Sequence, residues 1–188
     1  WRWAGNGKNM KIIIPTYENW VNRPYLIYYT SARSTSPMAV EVRQLPIKQK
    51  KHFPGCLIEK KLPKKEWEEG WGKAKFAFVM TGDCPCTHAF THAIAGGCIP
   101  IIVSDLFELV CVPFKKHIDL KSFTISIPEE EFLKSPEKVV PMLKSLSEDI
   151  IKSKLKALRE VQPKLLYNHP NTIVHELVLD EIKRGGTK

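Results

Sequence analysis

Two apolar runs of strand length, Phe76-Ala-Phe-Val-Met80 and Ile99-Pro-Ile-Ile-Val103, stand one helix-length apart, and they constrain the fold more than any other feature of the chain. A strand that is apolar at every position is buried on both faces, as in a parallel sheet. Parallel neighbours need a crossover, usually a helix, and Thr87 to Ala95 has the composition to supply it. The alternation extends on both sides. Tyr25 to Tyr29 and Cys56 to Ile58 read as strands, Met38 to Gln44 and the polar stretch Lys64 to Gly70 as helices, and Phe123 to Ile127 as a further strand closed by Pro128. This order predicts an α/β fold, a parallel Rossmann-like sheet flanked by helices. Beyond Pro128 the chain reads as a helical tail: Glu129 to Leu133, Pro136 to Leu146, Ser147 to Val161 and Thr172 to Ile182. Ser147-Glu148-Asp149 and Ser135-Pro136 are helix-start signals. Ile150, Ile151, Leu155 and Leu158 form one apolar face, expected to dock on the sheet.

The chain has 188 residues, enough for one domain and too few for a complete two-lobed enzyme. Residues 1–21 read as a connector into a domain spanning 22–188. The start at Trp1, with no signal-peptide pattern, is expected for a piece of a longer precursor. No apolar run approaches the roughly 18 residues of a membrane helix. Five cysteines are too few for a disulfide scaffold at this length, and their odd number leaves at least one thiol unpaired within the chain. Lys+Arg outnumber Asp+Glu by 29 to 20, a net charge of +9. The lysine-rich segments (48–51, 60–61, 64–65, 115–116) do not interleave with aromatic residues, so the charge points to an anionic small ligand or glycan and no nucleic-acid partner is expected.

Chemistry concentrates between Phe76 and Asp105. A buried strand runs through Thr81-Gly82-Asp83-Cys84-Pro85 into a helix, and Gly96-Gly97 leads to the second strand. The free N–H groups and dipole at such a helix start favour an anion, and Gly82 lets the backbone approach it, so phosphate or diphosphate is the natural guest.

The whole stretch Thr81-Gly-Asp-Cys-Pro-Cys-Thr-His-Ala-Phe-Thr-His-Ala-Ile-Ala-Gly-Gly-Cys-Ile-Pro-Ile-Ile-Val-Ser-Asp105 closely resembles the signature of the exostosin family, glycosyltransferase family 47. Tyr28-Tyr-Thr-Ser-Ala-Arg33 and Glu41-Val-Arg43 resemble the family's first loop and following helix. Glu108-Leu-Val-Cys-Val-Pro-Phe114, the segment His117 to Glu129, and Glu160 to Tyr167 are similar to its later elements. The resemblance implies an inverting glycosyltransferase of two Rossmann-like lobes, the glycosyltransferase-B architecture, with this chain as the C-terminal, donor-binding lobe. Its donor would be a nucleotide sugar, a UDP-sugar by preference, and its acceptor a glycan or proteoglycan. The N-terminal lobe, whose last strand Ile12-Ile-Ile-Pro15 resembles, would supply the catalytic base. A Golgi membrane location, on the lumenal side, is the corresponding expectation.

The residues carried over to donor binding are Arg33, Arg43, Thr81, Gly82, Asp83, Thr87, His88, Ser104, Asp105 and Glu108. Arginine forks suit a diphosphate, and the Glu108 carboxylate suits ribose hydroxyls; Asp105 also fits a turn cap. The chain departs from the family at Thr81 and Ala89, where arginines are usual, and at His92, where an acid is usual. Those losses call for His88, His92 or a divalent metal ion to balance leaving-group charge, and they open two alternatives. One is a catalytically inactive binding or scaffolding lobe. The other is a zinc site at Cys84, Cys86, His88 and His92. Cys98 reads as a small buried side chain, and Trp67 and Trp71, four apart on a helix, as a packing edge.

Overall fold

The computed structural model describes residues 10–30, 37–82 and 85–185. Five parallel strands, β1 (Tyr25–Thr30), β2 (Leu57–Glu59), β3 (Ala74–Met80), β4 (Ile99–Val103) and β5 (Ile125–Ser126), form one sheet in the order β2-β1-β3-β4-β5. α1 (Tyr17–Val21) precedes β1. α2 (Pro37–Lys48), α3 (Lys64–Lys73) and α4 (Ala89–Ala95) make the first three crossovers. The short helices α5 (Phe107–Val110) and α6 (Leu120–Phe123) lie between β4 and β5, and α7 (Glu129–Lys134), α8 (Val139–Lys144), α9 (Glu148–Leu165) and α10 (Val174–Gly185) follow.

Period-two alternation sends each strand's side chains into two separate cores. Phe76, Phe78 and Met80 of β3 join Ile27, Tyr29, Ile99, Ile101 and Val103 under α2, α7 and α8. Ala77 and Val79 face the opposite way, with Tyr28 and Ile102, under α3, α4 and α10. The small side chains of β3 thus lie on the face where Trp71 and Phe90 fill the space. α9 serves both cores, Ile151 and Leu155 in one and Leu158 and Val161 in the other, and Ser147 caps it by accepting from the Ile150 N–H.

Three expectations change. The strand expected over Phe123 to Ile127 shrinks to Ile125–Ser126, because Asp119 caps a helical turn that takes in Phe123. The helix expected from Pro136 to Leu146 divides into a 3-10 turn, Pro136–Lys138, and α8; Pro136 does occupy the first helical position, but the Ser135 side chain makes no capping bond. Ile150 is 44 % exposed and outside the docked face of α9. The second half of the expected connector packs onto the domain. Ile13 donates to Ala95 O at 2.8 Å and its carbonyl accepts from Gln162 Nε2 at 2.9 Å, and Trp20 is buried. Trp71 is buried as expected of a packing residue, edge-on to Tyr28 and to Trp67.

Candidate donor site at the carboxyl end of the sheet

In a doubly wound sheet, ligands bind outside the carboxyl ends of the strands where the winding direction reverses. The order β2-β1-β3-β4-β5 puts that reversal between β1 and β3. β1 ends at Thr30 and β3 at Met80, so Thr81 and Gly82, which begin the second loop singled out in the sequence, follow a strand that borders this crevice. Arg33, Asp83 and Cys84 lie outside the described residues.

Thr81 and Gly82 are half-buried, and the Thr81 N–H donates to Val103 O at 2.9 Å, extending the ladder by one step. Past the loop, Thr87 Oγ1 accepts from the Ala89 N–H at 3.4 Å and Thr87 O accepts from the Phe90 N–H at 3.2 Å. Thr87 therefore occupies two of the orphan donors at the start of α4. His88 is exposed beside it. Ser104, buried at the end of β4, donates its hydroxyl to Pro85 O at 3.4 Å. Thr81, Gly82, Thr87, His88 and Ser104 are thus brought together around the two central strand ends.

The remaining assigned residues stand differently. Asp105 accepts the Glu129 N–H at Oδ1, 3.0 Å, while Glu129 Oε1 accepts the Asp105 N–H at 3.0 Å; this reciprocal pair closes the end of β4 onto the start of α7. Arg43 lies on α2 six residues past Pro37, roughly 9 Å along the axis, and its carbonyl accepts the Tyr29 hydroxyl at 3.0 Å. Glu108 projects from α5 into solvent, with Lys121 Nζ 4.0 Å away and both side chains more than half exposed.

The four-ligand zinc set does not form. Cys86 Sγ is bonded to Cys111 Sγ, and a disulfide sulfur is no thiolate ligand. His92 is buried, its ring 5.0 Å from Trp67 and 5.4 Å from Trp71 between centroids. Among the described residues, no three His, Cys, Asp or Glu side chains converge as a metal site. The disulfide is the functional feature that sequence reasoning missed. Its available signal was that Cys86 and Cys111 bracket one helix–strand–helix unit, α4-β4-α5, placing both at the carboxyl end of the sheet. Cys98 is fully buried, and burial pushes its thiol up to about 11.

The family model for the Exostosin GT47 domain matches residues 15–146, from the connector through α8. The chain belongs to the exostosin GT47 family. A probable arabinosyltransferase, ARAD1, from Arabidopsis thaliana is 30% identical over 109 residues, which is 58% of this chain and 24% of that protein. This exostosin chain therefore spans about a quarter of that relative's length. A chain from the crystal structure of the GtfA/B complex has a TM-score of 0.49 at 12% identity, covering 86% of this chain and 36% of that one.

Proposed function

We propose that this chain is the donor-binding lobe of an inverting glycosyltransferase of glycosyltransferase-B architecture, with a nucleotide sugar, most simply a UDP-sugar, as donor and a glycan or proteoglycan as acceptor. The observation that carries the reading is the contact of Ser104, at the end of β4, with Pro85 of the family-matched loop that follows β3, the strand that borders the sheet's switch point. In this reading the loop backbone cradles the diphosphate. Arg33 and Arg43 neutralise it, and Glu108 accepts from the ribose hydroxyls. The acceptor hydroxyl attacks the anomeric carbon from the face opposite the diphosphate. The anomeric C–O bond to phosphate breaks, nucleoside diphosphate leaves with the electron pair, and the acceptor proton passes to a base on the N-terminal lobe. The Cys86–Cys111 bond suits an oxidising compartment and supports the lumenal side of the Golgi membrane as the place of action.

The test is a melting-temperature titration with nucleoside diphosphates and their sugar derivatives, since a ligand that binds only the native state must raise Tm. Stabilisation by one nucleotide class supports the donor reading, and Glu108→Ala should then weaken binding by about 1–3 kcal/mol. A lobe that keeps the fold but not the donor chemistry, as Thr81 and Ala89 in place of arginines permit, shows no stabilisation, and Ala89→Arg restores it.

A further inference from the structure

We infer that the Cys86–Cys111 disulfide is a positioning clasp, holding the turn that carries Glu108 against residues 85–87 so that the lobe binds its donor tightly only when the bond is intact; this rests on the donor reading above. α5 has four residues, below the length at which a helix sustains itself. Of those four, Phe107 is buried and Glu108, Leu109 and Val110 are exposed. Little packing therefore fixes the direction of the Glu108 side chain. Its anchors are Phe107, seated edge-on to Phe90 with centroids 4.9 Å apart, and Cys111, the residue that ends the helix and donates its N–H to Phe107 O at 2.9 Å. Cys111 is in turn bonded to Cys86, directly before Thr87, with Cα atoms 5.3 Å apart.

Among the described residues these segments also meet where Ser104 Oγ donates to Pro85 O at 3.4 Å, a neutral contact at the long end of the hydrogen-bond range, and where Cys86 Sγ lies 4.0 Å from Val110 O. Two segments 25 residues apart in sequence are thus registered by one covalent bond, with Phe107 and Cys111 seated in the core beside it. The groups proposed to touch diphosphate and ribose lie one and three residues from its two ends, at Thr87 and Glu108. Cys111 sits in the core under α3, α4 and α10, with Cys86 packed against it, whereas the core under α2, α7 and α8 contains neither cysteine. Breaking it should free the turn while the domain stays folded.

The experiment is a binding cycle on the full-length protein with UDP and GDP as probes, by calorimetry well below all melting transitions, with near-UV circular dichroism confirming the fold of each form. The forms are wild type, Glu108→Ala, Cys86→Ser/Cys111→Ser, and the triple variant. As a check that does not depend on refolding a variant, wild type is also treated with dithiothreitol, which gives the bond two electrons and two protons, becomes its cyclic disulfide, and leaves two thiols. The expected result is a loss of affinity of roughly tenfold or more without the bond. In addition, Glu108→Ala should cost affinity with the bond intact and nothing without it, a coupling that a purely structural bond would not produce. Equal affinity with and without the bond, or Glu108 costs that simply add, would overturn the clasp while leaving the donor reading standing. If intact wild type binds neither nucleotide, the donor reading fails, and the clasp with it.

Discussion

Arg23 is the residue on which three segments meet. Its guanidinium, 7 % exposed, donates to Ala74 O at 2.7 Å and Gly96 O at 3.0 Å, with Cys98 Sγ at 3.7 Å. The start of β3, the end of α4 and the start of β4 are thus held by one fork whose charge is satisfied by carbonyls. Gly97 sits beside it with φ +67, and a Cβ there would meet Ile13 O at 2.9 Å and Arg23 Nη2 at 3.0 Å, so no larger residue fits the corner. Arg23→Met should cost about 2–4 kcal/mol by leaving buried carbonyls unpaired, read as a lowered urea midpoint with unchanged slope. The neighbouring thiol gives a second check. With burial holding Cys98 up at about 11, iodoacetamide at neutral pH should label it only on unfolding; labelling in the native protein would show that this corner opens.

Among the elements, α9 organises the molecule. Gln162, fully buried, donates from Nε2 to Ile13 O and to Ile94 O, both at 2.9 Å, sewing the residues before α1 and the helix α4 to one point of α9. Gln162→Leu should therefore destabilise by about 1–3 kcal/mol and raise proteolysis near residue 13, while Gln162→Glu, which loses the donor, should do no better. α10 is tied down by a carboxylate. Asp180 Oδ2 lies 3.0 Å from His117 Nε2 and 2.9 Å from Arg184 Nη2. The His117 hydrogen bond, with help from Arg184, holds the Asp180 carboxyl below its ordinary value of 3.8. A carboxyl depressed in the fold adds stability that is complete above the ordinary value and is lost as pH falls through the native one. Amide protection in α10 should hold steady from neutrality and then drop below about pH 4. Asp180→Asn should remove that step, and a step that persisted in the variant would place the latch elsewhere.

At the scale of the whole molecule, a net charge of +9 should draw in a diphosphate, so UDP affinity should fall several-fold from low salt to physiological ionic strength, whereas uncharged uridine should respond little. A salt-independent UDP affinity would mean that the charge sits away from the site. The residues legible from sequence alone are those whose structure is set by near neighbours. Fully apolar Phe76–Met80 and Ile99–Val103 could be little else than central parallel strands. The family signature rests on that same contiguous run, which is why it could be read before any fold was known. Phe123 was misread because a short apolar run carries no periodicity that separates a strand from a helical turn, and the Asp119 cap decides it. The sequence by itself determined the strands, most of the helices and the place of the family signature, since period and turn residues are local quantities. Only the tertiary structure decided that Cys86 meets Cys111, that Asp105 closes on Glu129, and that Arg43 stands well along α2. Such pairings join residues far apart in the chain, and they are set by how the helices seat on the twisted sheet.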